Sequence, residues 1–324
     1  MATHPRGTSR AKNQLMRATG VASARNEGSS VFLSPDPAEG AAISAQILDQ
    51  PDQLATIIAD HSSVSLATRV LGGERTVNTG TLWFSSLGPE DLTVEGLADR
   101  AEGTEYPMVR ISPADLQALT PGDIGGKFRV SDEAREAGIT DIIRDGISLI
   151  TKGIVDRLDD MVLKALDDAA ALTPHGVMEV DSWAEVQLTG ATPTPAGQTP
   201  AAALVRAQTE LRTKGLLTRG DMLVVNPIDD ANLRIAYGPG YADLLTGLGI
   251  EVAISPRVDA DTAYVVGTGG LGGVVSKNGL TAETWRDPAI RSTWAQVFLE
   301  PAVYVSRPGN VIKLTGTTTG KVTP

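Results

Sequence analysis

Residues 140–172, TDIIRDGISLITKGIVDRLDDMVLKALDDAAAL, decide the fold of this chain. Apolar side chains recur there at gaps of three or four residues: Ile143, Ile147, Ile150, Ile154, Leu158, Met161, Ala165 and Ala169. This spacing places them along one face of an α-helix, and some thirty residues at ~1.5 Å each make it about 45 Å long. Gly146 and Gly153 each weaken a helix by about 1 kcal/mol relative to alanine, so packing must stabilise it.

The segment before this helix predicts an outstretched hairpin over about residues 72–126. Residues 77–84 (VNTGTLWF) and 106–112 (YPMVRIS) are rich in strand-forming residues. The polar stretch 85–106 between them opposes only Arg100 to six acidic residues: Glu90, Asp91, Glu95, Asp99, Glu102 and Glu105. A two-stranded ribbon has no core of its own, so it is marginal unless something covers it. An ordinary surface loop is the alternative interpretation.

Short helices and strands are predicted on both sides of the long helix. Ser131 caps a short helix that Gly138 ends. A Pro/Gly/Thr loop at 189–200 leads into an α/β region, and Tyr237–Gly249 is predicted as a glycine-rich loop. The predicted helices of this region are Ala201–Lys214 and Pro227–Ala236. The predicted strands are Met222–Val225, Glu251–Ser255, Ala263–Gly267, Val274–Lys277, Arg291–Leu299, Ala302–Ser306 and Val311–Leu314.

Charge is distributed unevenly along the chain. The 324 residues include 28 basic and 39 acidic side chains, for a net charge of −11. Residues 1–26 carry no acid and five basic residues: Arg6, Arg10, Lys12, Arg17 and Arg25. Such an arm can contact nucleic acid, an acidic membrane surface or the acidic face of a neighbouring copy, or it can simply be solvated. The acidic whole argues against a sequence-specific nucleic-acid-binding protein.

The composition excludes much site chemistry. The chain has no cysteine, so disulfides, thiolate metal sites and cysteine nucleophiles cannot form. Its three histidines (His4, His61 and His175) lie far apart in the sequence. The acid pairs Asp159-Asp160 and Asp167-Asp168 are interpreted as a solvated or partner-facing surface. We therefore predict no catalytic, cofactor-binding or metal-binding residue, and no membrane span.

The order of these elements resembles that of the major capsid protein of tailed bacteriophages, the Hong Kong 97 fold, and particularly its versions from phages of actinobacteria. The stretches that carry the likeness are Phe128-Arg-Val-Ser-Asp-Glu-Ala134, Asp221-Met-Leu-Val-Val-Asn-Pro227, Gly267-Thr-Gly-Gly-Leu-Gly-Gly273, Thr284-Trp-Arg286 and Val303-Tyr-Val305. The likeness extends over nearly the whole chain from about residue 35. Each motif alone is unspecific, and their order is what identifies the family.

The resemblance implies an α+β fold with a defined division of the chain. Its parts are an N-terminal arm (1–50), the start of a peripheral domain with an extended β-hairpin loop (51–130), the spine helix of that domain (131–172), an axial α/β domain (173–285), and returning peripheral strands with a tail (286–324). Tyr237, Pro239 and Tyr241 would belong to an axial loop near the five-fold and quasi-six-fold axes.

The implied function is structural: pentamers and hexamers of an icosahedral shell around double-stranded DNA, found in the virion and assembled in the host cytoplasm. The expected partners are further copies of the chain, scaffolding, portal and decoration proteins, and DNA through weak non-specific contact. Scaffolding would be a separate protein or a segment removed before this numbering begins.

Contacts between copies are expected at two places. The extended loop would contribute Trp83, Phe84 and the six acids, and the spine helix region Arg135, Arg144 and Arg157. A long helix with one apolar stripe and an acidic ribbon would bury little of their surface within one copy. Both could bury more of it against neighbouring copies. Some family members join neighbours through a lysine on the extended loop, but no lysine occurs between His61 and Gly126, so no such crosslink is expected.

Two other functions are weighed against this one. An encapsulin, a bacterial compartment with the same fold, would hold cargo enzymes instead of DNA. A nucleotide-binding enzyme would depend on the glycine motif at 267–272. That motif needs a helix after its third glycine, whereas the sequence predicts a strand and a turn there.

Overall fold

The computed structural model describes residues 65–71, 74–77, 81–88, 99, 102, 105, 115–137, 141–214 and 220–318. The N-terminal arm with its basic residues and the strand predicted at 106–112 lie outside these residues. The described helices are α1 (Leu66–Leu71), α2 (Asp132–Glu136), α3 (Asp141–Leu172), α4 (Pro200–Thr213), α5 (Pro227–Tyr237) and α6 (Tyr241–Leu248).

The described strands are β1 (Glu74–Val77), β2 (Leu82–Ser86), β3 (Asp115–Leu119), β4 (Ile124–Ser131), β5 (Val177–Glu179), β6 (Met222–Val225), β7 (Glu251–Ile254), β8 (Thr262–Val266), β9 (Gly272–Asp287), β10 (Ser292–Val305) and β11 (Val311–Thr315). The chain forms two compact units. Among described residues, one contains Gly125–Lys152 and Leu280–Phe298, and the other contains the rest. Helix α3 and strands β9 and β10 continue from one unit into the other.

In the first unit, β4 lies beside β10 and β10 beside β9. One face of β4 packs on α3 through glycines. A Cβ added to Gly126 would lie 3.2 Å from Ile150 Cγ1, and one added to Gly146 would lie 2.8 Å from Phe128 Cγ. Gly146 is therefore part of the packing, because the Phe128 ring occupies the space that a side chain would need. Ser131 caps α2 as predicted, since its hydroxyl accepts a hydrogen bond from Ala134 N.

In the second unit, a five-stranded sheet has the order β5-β11-β8-β6-β7. All four residues of β6 are buried, as expected for a continuous apolar strand covered on both faces. Helix α4 begins after Thr199, whose hydroxyl accepts from Ala202 N, and α5 after Asn226, whose side chain accepts from Ile228 N. Trp183, Leu204, Leu211, Leu223 and Leu233 form the centre of the hydrophobic core.

The extended hairpin begins and returns at different residues from those predicted. Residues 77–84 do not form one strand: Thr81 lies at a bend, β1 pairs in parallel with β9, and β2 pairs antiparallel with β3. The returning strand is therefore Asp115–Leu119, near the end of the predicted hairpin. Likewise, β9 and β10 are each longer than the strands predicted from the sequence, and β10 continues through Pro301.

The long helix is confirmed, but its apolar face is broader than the predicted stripe. Ile147, Ile154, Leu158 and Ala169 are buried as expected, whereas Ile150, Met161 and Ala165 are half-buried. The stripe omitted several buried residues: Val162, Leu163, Leu166 and Ala170. This burial occurs within a single copy. The expectation that the stripe would be buried between copies is therefore wrong for the described part of the helix.

Alanine substitutions at the two glycines of α3 are expected to have different effects. No heavy atom lies within 4 Å of a Cβ added to Gly153, so we expect Gly153→Ala to raise the free energy of unfolding by about 0.5–1 kcal/mol. Gly146→Ala is the matched control in the same helix, and its contact with Phe128 should cancel the gain. Urea denaturation of the unassembled chain measures both effects, and equal gains would contradict the packing described.

Candidate assembly surfaces

The β2–β3 ribbon has one covered face and one open face. Phe84 packs against Tyr304 with ring centroids 5.1 Å apart and the rings tilted by 42°, and Leu87 N donates to Ser306 O at 2.8 Å. Trp83 pairs with Ala118, so these side chains lie on the opposite face. Trp83 is 63% exposed, and Leu116, which shares that face, is 67% exposed. Of the two predicted aromatic contacts, only Trp83 is directed outward, because Phe84 already has a partner in its own chain.

The other predicted contact residues are placed only in part. Asp99, Glu102 and Glu105 are exposed, Arg157 is exposed on α3, and Arg135 is half-buried in α2. Glu90, Asp91 and Glu95 and the Arg144 side chain lie outside the described residues, as do the basic residues of the N-terminal arm: Arg6, Arg10, Lys12, Arg17 and Arg25. The pairing of ribbon acids with helix arginines of another copy stays a prediction.

The acid pairs of α3 have partners within the chain. Their interpretation as a solvated or partner-facing surface is wrong for Asp159, which is buried, whereas Asp160 and Asp167 are partly exposed and still bind residues of their own chain. Asp159 is buried and accepts hydrogen bonds from Leu66 N at 2.7 Å and Ser255 Oγ at 2.9 Å. Asp160 forms a two-point contact with the Arg257 guanidinium. Sequence spacing missed these roles, because the partners lie more than ninety residues away.

Asp167 binds the sheet in the same way. Its Oδ1 atom accepts from Tyr264 Oη at 2.8 Å and from Lys313 Nζ at 2.6 Å. Burial and this hydrogen bond raise the pKa of the Tyr264 phenol. Asp168 lies at the surface as predicted: it is exposed and forms an i,i+4 ion pair with Lys164. Successive carboxylates thus attach α3 to β8, to β11 and to the segment after β7.

The region predicted as an axial loop is helical. Tyr237 ends α5, Pro239 lies in a short 3₁₀ turn, and Tyr241 begins α6. Gly238 makes this close connection with φ +50°, a conformation that side chains disfavour. The loop prediction is wrong because glycines disfavour helix in general, whereas here Gly238 and Gly240 form the short connection between two helices.

Hydrogen bonds fix the two tyrosines of this connection. Tyr241 Oη donates to Asp230 Oδ1 at 2.6 Å, and Arg234 binds the other oxygen of that carboxylate. Burial, followed by the hydrogen bond to Asp230, raises the Tyr241 pKa. Tyr237 Oη accepts from Ala201 N at 3.0 Å. Pro239 is exposed, so it is the predicted axial residue that presents a free surface.

The glycine motif at 267–272 has the geometry of a tight turn. Thr268 is held by Asp221 through its backbone N and its hydroxyl, both at 2.8 Å. Strand β9 starts at Gly272, where an added Cβ would clash with the backbone oxygen of Tyr304. No helix N-terminus follows this turn, so its glycines serve strand packing instead of phosphate binding.

Neither a metal site nor a membrane span is found in the described part of the chain. Among its residues, no group of three or more His, Cys, Asp or Glu side chains could hold a metal ion. None of its helices combines the length and hydropathy that crossing a bilayer requires.

A further exposed surface lies in the first unit. Trp285 and Trp294 stack with ring centroids 6.2 Å apart, and Lys127 Nζ lies 5.0 Å from the centroid of Trp294. Trp285 is 40% exposed. Alternation along β4 was the signal that could have placed Lys127 beside them.

Solved structures of other proteins have folds similar to that of this chain. A virus-like particle from Pyrococcus furiosus matches with a TM-score of 0.56 at 13% identity over 81% of this chain and 98% of that one. The capsid of cyanophage P-SCSP1u matches with a TM-score of 0.53 at 14% identity over 76% of this chain and 86% of that one. Microbacterium phage Oxtober96 matches with a TM-score of 0.53 at 12% identity over 96% of this chain and 99% of that one. The fold is therefore that of capsid proteins of the Hong Kong 97 type, as the sequence predicts.

The family follows from the sequence as well. A family model described as phage capsid protein matches residues 117–314, which is more than half of the chain, and the chain belongs to this family. No curated protein matches it. The resemblance to capsid proteins of tailed phages, including those of actinobacteria, is confirmed. The chain is a structural, non-enzymatic protein of the virion that associates with itself into a shell.

The buried carboxyl of Asp159 predicts a pH dependence of stability. Burial raises its pKa, and the bonds from Leu66 and Ser255 counteract this only in part. The folded chain therefore holds the proton in the pH range where the unfolded chain has lost it. The free energy of unfolding falls as pH rises from about 4 through the folded pKa.

We expect Asp159→Asn to reduce this fall by on the order of 1 kcal/mol, because asparagine does not ionise. Urea denaturation at a series of pH values measures it, with Asp168→Asn, at an exposed position, as the matched control. Identical pH profiles for Asp159→Asn and the unsubstituted chain would contradict the prediction.

Proposed function

We propose that this chain is the major subunit of an icosahedral shell that is built from pentamers and hexamers and encloses double-stranded DNA. The observation that carries the proposal is the open face of the β2–β3 ribbon, with Trp83 and Leu116 exposed while Phe84 packs on its own chain. A two-stranded ribbon gains little stability by itself, and a neighbouring subunit would cover its apolar side.

The predicted division of the chain is part of this proposal. The arm (1–50), the extended loop (within 51–130), the spine helix (131–172), the axial domain (173–285) and the returning strands (286–324) would each occupy the family's positions in the shell. Pro239 and its flanking tyrosines would lie near the five-fold and quasi-six-fold axes. Acids of the ribbon would meet arginines of a neighbour, among them Arg135, Arg144 and Arg157.

The net charge supports enclosed DNA that is not tightly bound. A chain of charge −11 does not attract phosphates as a whole, so packaged DNA would slide along the wall. The basic arm would contact either DNA or a neighbour. Scaffolding, portal and decoration proteins would complete the particle, which would assemble in the host cytoplasm.

Assembly of the purified chain tests the proposal. We expect hollow or DNA-filled polyhedra by negative-stain electron microscopy from the unsubstituted chain. Trp83→Ala should abolish most of the polyhedra while changing the free energy of unfolding by only about 0.5 kcal/mol, because the ring is exposed. Trp83→Phe, which keeps an aromatic ring, is the matched variant and should retain assembly.

Two results would contradict this function. If the unsubstituted chain stays a monomer under all conditions that support expression, the shell is not self-assembled. Particles from infected cells that hold enzymes and no DNA would favour the encapsulin alternative, whereas nuclease-protected DNA supports the phage shell.

The shell is further expected to lack covalent crosslinks. The absence of lysine from His61 to Gly126 removes the amine that a loop crosslink would use. Mature particles dissolved in hot detergent should therefore run as a single monomer band on a denaturing gel. A ladder of covalent multimers would refute this prediction without affecting the shell itself.

A further inference from the structure

The first unit presents an exposed sheet face that combines stacked tryptophans with cations. We call it the tryptophan–cation surface, and it consists of Lys127, Arg129, Trp285 and Trp294. Residues alternate along β4, with Phe128 and Val130 turned inward and Lys127 and Arg129 exposed. Both cations lie over Trp294: Lys127 Nζ is 5.0 Å and Arg129 Cζ 5.9 Å from its ring centroid.

The charges of this surface are not neutralised by the described residues around it. Neighbouring Arg286 and Arg291 form ion pairs with Asp132, and Arg291 also reaches Glu133. Among ion pairs between described residues, by contrast, none involves Lys127 or Arg129. A cation beside an aromatic face that remains exposed is suited to bind a carboxylate, because the ring orients the cation and excludes water from one side.

The ribbon segment of a second copy has the complementary charge. Residues 88–105 carry Glu90, Asp91, Glu95, Asp99, Glu102 and Glu105 against Arg100 alone, and Asp99, Glu102 and Glu105 are exposed. Because the chain associates with itself into a shell, every copy meets such a segment at equal concentration. Nucleic acid fits less well, since tight phosphate binding uses a broad basic face and this surface offers two cations in an acidic protein.

We propose that the tryptophan–cation surface is the receptor for the acidic segment 88–105 of a neighbouring subunit. This inference rests on the proposed function and adds to it the place where the extended loop of one copy binds the next. It adds Lys127 and Arg129 to the cations, Arg135, Arg144 and Arg157, that the sequence analysis expects to meet acids of a neighbour's ribbon. Trp294, stacked on Trp285, would hold the two cations in position, and the exposed part of Trp285 would contact apolar residues of the bound segment.

A zero-length carbodiimide crosslinker, applied to assembled shells, tests the contact directly. It joins a lysine amine to a carboxylate only where the two form an ion pair. Shells assembled from equal parts of ¹⁵N-labelled and unlabelled chain distinguish bonds between copies by mass. We expect a mixed-label peptide that joins Lys127 to an acid within 88–105. Lys127→Arg, which keeps the charge but forms no such amide, is the matched control and should lose that peptide while assembling normally.

Charge reversal provides the second measurement. Lys127→Glu with Arg129→Glu should lower the yield of shells about tenfold or more, because like charges would face each other. Adding Glu102→Lys and Glu105→Lys to the same chain should restore the yield. All four positions are exposed, and thermal melting of the unassembled variants checks that each still folds.

The outcomes separate this inference from the proposed function. Shells that form without the Lys127 crosslink, or a charge reversal that leaves the yield unchanged, overturn the receptor assignment alone. A reversal that preserves the number of shells but lowers their DNA content assigns the surface to nucleic acid and overturns it too. Failure of the unsubstituted chain to form shells overturns the proposed function and, with it, this inference.

Discussion

The attachment of the long helix to its own chain is the constraint on which the second unit depends. Asp159 is buried and would be costly as an isolated charge, but it accepts hydrogen bonds from the start of α1 and from Ser255 after β7. Asp167 meets β8 and β11 two turns further along. The helix is therefore fixed in both translation and rotation, because carboxylates two turns apart each have a specific partner.

Because α3 is attached to its own chain, contacts between copies depend on surfaces outside its buried face. Most of the described apolar face of α3 is buried within the subunit, so this part of the helix leaves little apolar surface for an interface between copies. Two described features are suitable: the open side of the ribbon with Trp83, and the stacked tryptophans with Lys127. Both combine a large aromatic side chain with partial exposure, which is the composition that carries most of the binding energy in protein interfaces.

Local patterns in the sequence predicted the elements better than their partners. The three-to-four spacing located α3, and the serine at 131 located the start of α2. The same spacing could not show that Val162 and Leu166 are buried, since that depends on strands that come together from distant parts of the chain. For the same reason Asp159 was interpreted as solvated: its hydrogen-bond partners are defined by tertiary structure alone. The glycines at 238 and 240 misled the prediction because a tight helix–helix connection and an open loop have the same composition.

The placement of Trp83 and Phe84 on opposite faces of the ribbon makes assembly sensitive to the register of β2 and β3. Slipping the β2–β3 pairing by one residue would exchange the two faces of the ribbon, so that Phe84 would point to solvent and Trp83 toward Tyr304. A subunit folded in that wrong register would then lack the side chain through which it joins its neighbours under the proposed assembly. Shell growth would thereby act as a proofreading step, admitting correctly paired subunits and leaving mispaired ones behind in solution.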